Sequence, residues 1–165
     1  MEEIWPHPYF DSEVDVGRVL RDTMRVCLKS TWQMVYGDHP PAWVLILDEH
    51  FLFYPRRSRV VLNGTAIIDC ELLSNADVTH NALAPQDATR LRQLLRTATE
   101  DSFADANTEI IDGHPCTLTV INGLGKWMAV CEFNLAGMPD EERTLLGPSI
   151  AEVLVRYSRE LAVLR

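Results

Sequence analysis

The sequence predicts an α+β fold, an antiparallel sheet of about six strands with helices packed on one face. Three features carry that reading. Amphipathic helical stripes stand near the start, in the middle and at the end of the chain. Between them lie short β-branched and aromatic runs, joined by connections too short for parallel crossovers. Asn63-Gly64, Asp112-Gly113 and Asn122-Gly123 fall between such runs, where tight hairpins form.

Taken in order, residues 1–11 hold two prolines and two aromatics and read as an extended arm. Ser12 with Asp15 approximates a capping box. Val16, Val19, Leu20, Thr23, Met24, Cys27 and Leu28 then recur at helical spacing, with Arg18, Arg21, Arg25 and Lys29 between them. Trp32 to Tyr36 alternates large residues and breaks at Gly37 to Pro41. Strands are expected over Trp43–Leu47 and Phe51–Tyr54, separated by the charged step Asp48-Glu49-His50. Arg56-Arg57-Ser58-Arg59 reads as a turn, followed by strands over Val60–Leu62 and Thr65–Leu73.

Pro85 with Asp87 marks the start of a second helix, whose stripe is Ala88, Leu91, Leu94, Leu95 and Ala98. Strands are expected at Thr108–Ile111, Cys116–Ile121 and Lys126–Phe133, with Pro115 at a strand start or edge. The last segment reads as a helix in two pieces, begun by Pro139 and interrupted at Gly147-Pro148. No repeat or linker divides residues 12–165, so the 165 residues are expected to form one domain.

The formal charge is −9, from 24 acidic against 15 basic side chains. Such a surface repels phosphate backbones and argues against nucleic-acid binding, whereas a basic protein would be steered toward it. No run approaches a membrane span and the acidic start is not a secretory signal, so a cytoplasmic location is expected. Cys27, Cys70, Cys116 and Cys131 are widely spaced and read as reduced core residues. The five histidines form no helical ligand pair, so neither a metal nor a cofactor is expected.

A search for chemistry finds no nucleophile elbow, phosphate loop or zinc-binding helix motif. Cys131 with His114 could form a nucleophilic dyad if their strands were neighbours, though a cysteine between Val130 and Phe133 reads better as packing. Asp48, Glu49 and His50 could act as acid and base, but three consecutive strand side chains cannot share a face. The expectation is therefore no enzyme. The candidate site is an acidic partner-binding surface of Asp48, Glu49, Glu100, Asp101, Asp105 and Glu109, weighed against simple solvation of a helix end and loop.

From about residue 109 to 154 the chain resembles small immunity proteins of bacterial polymorphic-toxin and type VI secretion systems. The resemblance rests on Ile111-Asp112-Gly113, on the strand exit Cys131-Glu132-Phe133-Asn134-Leu135-Ala136-Gly137, and on the proline-initiated helical tail. Glu132-Phe133 before the exit and Gly147-Pro148 in the tail depart from that pattern. The resemblance implies a non-enzymatic inhibitor that covers the active site of one cognate toxin. It also implies architectural roles for Asp112 and Gly113 in a hairpin, and for Asn134 and Gly137 at the strand exit. A secretion chaperone or effector adaptor is the alternative binding role, and a small enzyme using Cys131 and His114 is the catalytic one.

Overall fold

The computed structural model describes residues 43–51, 55–62, 66–72, 77–109, 113–122 and 127–163. The expected arm, the expected helix after Ser12 and the Trp32–Tyr36 run lie outside the described residues, as do Asp112 and both Asn-Gly pairs apart from Asn122.

Six strands form one antiparallel sheet: β1 (Trp43–Glu49), β2 (Arg56–Leu62), β3 (Ala66–Leu72), β4 (Asp77–Ala82), β5 (Pro115–Asn122) and β6 (Trp127–Asn134). Their spatial order is β4-β3-β2-β1-β5-β6. The first four strands make a meander. The chain then returns through helix α1 (Pro85–Leu95) to lay the β5–β6 hairpin against the other side of β1. Helices α2 (Asp140–Arg143) and α3 (Leu146–Val163) close the fold.

Alternation along the strands sorts the sheet into two faces. Leu45, Leu47, Val60, Leu62, Ile68, Leu118 and Val120 pack with Leu91, Leu95, Ile150 and Leu154 of the helices in one buried cluster. Val44, Ile46, Val61 and Ile121 point the other way and are buried too. A strand shielded on both faces reads as a continuous apolar run, which is the pattern from Val44 to Leu47.

The structure corrects three element assignments. Arg56-Arg57-Ser58-Arg59 is not a turn but the first half of β2, and each arginine stands opposite a carboxylate. The register places Arg56 against Glu49, Arg57 against Asp48 and Arg59 against Asp69, so the charges are answered across the sheet. Thr108 and Glu109 lie in a turn, and the isolated bridge of this segment falls at Ala106 against Phe133. Strand β4, Asp77–Ala82, completes the sheet at an edge where the sequence shows no apolar alternation.

The helical tail breaks as expected, but at Thr144-Leu145, with Gly147 and Pro148 inside the first turn of α3. Pro148 is tolerated there because first-turn amides have no intrahelical acceptor. Gly147 lets that turn lie against β6, since a Cβ at this position would meet Cys131 Sγ at 2.8 Å. At the end of β6, Asn134 Oδ1 accepts the amides of His114 (2.9 Å) and Ala136 (3.0 Å). Gly137 follows with φ +64, and Gly113, with φ +126, packs so closely that a Cβ would meet Ala136 Cβ at 2.7 Å. These contacts tie the strand exit to the start of β5.

Candidate functional site

Between α1 and β5 the chain runs from Glu100 to Glu109 beside the open edge of β6. Four carboxylates, Glu100, Asp101, Asp105 and Glu109, lie exposed along this stretch. None of them forms an ion pair among the described residues, and the sequence has no lysine or arginine between Arg96 and Lys126. Among the described residues, the negative charge there has no pairing cation.

The segment is held at several points. Glu100–Ser102 is a 3-10 turn in which Ser102 Oγ accepts the Thr99 amide at 2.9 Å. Phe103 is half-buried beside Trp127, which in turn meets Trp43 edge to face at 5.6 Å. Asp105 Oδ1 accepts the Glu132 amide at 2.7 Å, the Ala106 amide donates to Glu132 O at 3.0 Å, and the Asn134 amide donates to Ala106 O at 3.1 Å. Asn107 adopts φ +58, and its Nδ2 donates to the carbonyls of Asn134 and Ala136, both at 3.2 Å. Asparagine is among the few residues that enter the left-handed region readily. Four acidic groups are therefore mounted on a fixed strip that also blunts the sheet edge.

Asp48 and Glu49 behave differently from this strip and from each other. Asp48 pairs with Arg57 directly across the β1–β2 ladder. The register also puts Asp48, Thr117 and Glu132 in one row of a single face, which leads to the Asp105 end of the strip. Glu49 points to the opposite face and is 1% exposed, so it is withdrawn from any partner surface. His50 is exposed at the strand end, 2.8 Å from Thr117 Oγ1.

Glu49 is the centre of a buried polar cluster. Its Oε1 accepts from Arg56 Nη2 at 3.0 Å and from His114 Nε2 at 2.7 Å, and its Oε2 accepts from Ser158 Oγ at 2.6 Å. Arg56 Nη1 donates to Ser158 O at 3.2 Å, and its guanidinium lies 4.9 Å from the centre of the Phe51 ring. The composition suggests a hydrolytic triad, but the connectivity does not. In a triad the imidazole stands between hydroxyl and carboxylate so that it can take the hydroxyl proton. Here the carboxylate stands between them, Nε2 is committed to Glu49, and Ser158 is fully buried. The cluster fastens α3 to the sheet.

The proposed thiol dyad is not assembled. Cys131 pairs in register with Leu118, four residues along β5 from His114, which separates them by about 13 Å at the usual strand rise. Burial, with a smaller contribution from Asp105, pushes the Cys131 thiol up to about 12. Burial likewise raises Cys70 to about 11 and Cys116 further still. A thiol held protonated at neutral pH is a poor nucleophile. Among the described residues no group of three or more histidine, cysteine or acidic side chains could hold a metal ion. Nor is any described helix long and apolar enough to cross a membrane.

The sequence alone assigns none of Arg56, Ser158 and Glu132 to a site. The Asp48-Glu49 and Arg56-Arg57 dipeptides were the available signal, since a hairpin between them sets each acid opposite a base. No protein-family model, curated protein or solved structure matches this chain.

Proposed function

We propose that this protein is a non-catalytic inhibitor, an immunity protein that binds a cognate secreted bacterial toxin through its acidic β6 edge. The observation that carries the reading is the pinned strip of Glu100, Asp101, Asp105 and Glu109, exposed and without a pairing cation among the described residues. A toxin acting on a polyanionic substrate has a basic cleft, and a rigid acidic strip complements such a cleft. Fixed charge speeds encounter and sets orientation, while the absence of ordering on binding limits the entropic cost. Asp48 and Glu132 extend the same surface along one row of the sheet. The wrongly ordered Ser158–Glu49–His114 cluster and the protonated buried thiols fit a binding role better than a catalytic one.

The direct test is co-expression with the product of the neighbouring gene as the candidate toxin. Protection of the host cell together with a stable complex is expected. A complex in which the effector stays fully active would instead indicate a chaperone or adaptor, and neither protection nor complex would end the reading.

A further inference from the structure

On the helical layer, a groove runs over α3 between α1, α2 and the turn after β6. It has two adjoining pockets, of about 520 Å³ and about 410 Å³, which share Arg143, Glu152 and Arg156. Arg90 of α1 lines the first and Arg159 of α3 lines the second. Four arginines thus converge on one concave surface of a chain whose net charge is −9, faced by one carboxylate, Glu152. Glu152, Arg156 and Arg159 occupy one face of α3 through helical spacing.

We infer that this groove is a binding site for a small oligophosphate ligand, independent of the proposed toxin-binding edge. Two of the arginines are already positioned. Arg156 Nη2 lies 2.6 Å from Asp87 Oδ1, and Arg143 Nε donates to Met138 O at 3.1 Å, which leaves other guanidinium N–H groups for a ligand. Asp87 is itself held by Tyr157, whose hydroxyl donates to Asp87 Oδ2 at 2.5 Å and accepts the Ala84 amide at 2.9 Å. The Arg143–Glu152 contact is long, at 3.4 Å, and both side chains are about half exposed, so an incoming anion can displace the carboxylate. Arg90 and Arg159 make no ion pair or hydrogen bond among the described residues, and a ligand would supply their partner.

The shared wall explains the preference for linked phosphates. A phosphate in either pocket meets Arg143 and Arg156, and a chain of phosphates spans both pockets while engaging Arg90 at one end and Arg159 at the other. The remaining lining includes Leu94, Val153, Leu135 and Val155, and its one ring, His114, is already occupied, stacked against Phe51 at 4.6 Å and bonded through Nε2 to Glu49, so the groove favours phosphates over a nucleobase.

The test is calorimetric titration of the full chain with inorganic triphosphate in physiological salt, with thermal unfolding as a second measurement. Saturable binding and a raised melting temperature are expected. Arg90→Gln and Arg159→Gln should each weaken binding about tenfold, the loss of one charge-assisted contact. Arg96→Gln, on an exposed residue outside the groove, should leave it unchanged. No saturable binding, binding by the two groove variants as tight as the parent's, or an equal loss in Arg96→Gln would overturn the assignment.

Discussion

Glu49 and Ser158 stand 109 positions apart in the chain and 2.6 Å apart in the fold, the hydroxyl donating to the carboxylate within a fully shielded pocket. That bond, with Arg56 reaching from Glu49 to the Ser158 carbonyl, joins the first described strand to the last helix. A buried carboxylate with three donors is stable only while all three remain, because each loss leaves a polar group without water or partner.

Glu49→Gln should therefore lower the unfolding free energy by about 3 kcal/mol, since Arg56 keeps its charge in a buried site and loses its counterion. Ser158→Ala should cost about 1–2 kcal/mol. Urea denaturation checks both, and a Glu49→Gln protein as stable as the parent would show that the cluster does not fasten α3.

The buried thiols give a pH-dependent expectation. Cys70 is raised to about 11 and Cys131 to about 12, against 9.0 for an ordinary thiol. Between those values the unfolded chain loses protons that the folded chain retains, so stability is full below about pH 9 and falls as pH rises toward the folded values. At about pH 8, thiolate-directed alkylation read by peptide mass spectrometry should leave Cys70, Cys116 and Cys131 unlabelled until urea is added. Rapid labelling of Cys131 in the native protein would restore the thiol-enzyme reading.

Asn107 is the pin of the acidic strip. Asn107→Ala removes two donors to carbonyls and puts an ordinary residue at φ +58, at a cost of about 1–3 kcal/mol. Hydrogen exchange should then quicken at the Ala106 and Glu132 amides while the β1 and β2 amides stay protected. Asn107→Gly keeps the backbone angle accessible and should show a smaller change. Equal exchange in all three proteins would mean the strip is held by other contacts.

The architecture was legible where periodicity is unambiguous. The Leu91–Leu95 stripe of α1, the Cys116–Ile121 strand and the two-piece helical tail all fall where the apolar spacing puts them. Reading failed where charge hides a strand. Arg56 to Arg59 resembles a solvated turn because its partners, Glu49, Asp48 and Asp69, are supplied by neighbouring strands. Strand β4 is mostly polar and carries no period at all. Of the candidate site, the exposure of Glu100, Asp101, Asp105 and Glu109 follows from their local sequence, but their immobilisation by Asn107, Ala106 and Glu132 does not. Glu49 was misplaced because alternation alone cannot say which face of a strand end stays wet.

The most direct test of the proposed acidic interface is the association rate of this protein with the product of the neighbouring gene, tested as the proposed toxin, at low and at high salt. It compares the parent with a Glu100→Lys, Asp101→Lys, Glu109→Lys variant, whose three positions are exposed and make no described ion pair. Association should be slower by about tenfold or more at low salt, with the difference shrinking as salt screens the strip. An unchanged rate in the reversed variant at low salt would contradict the proposed interface.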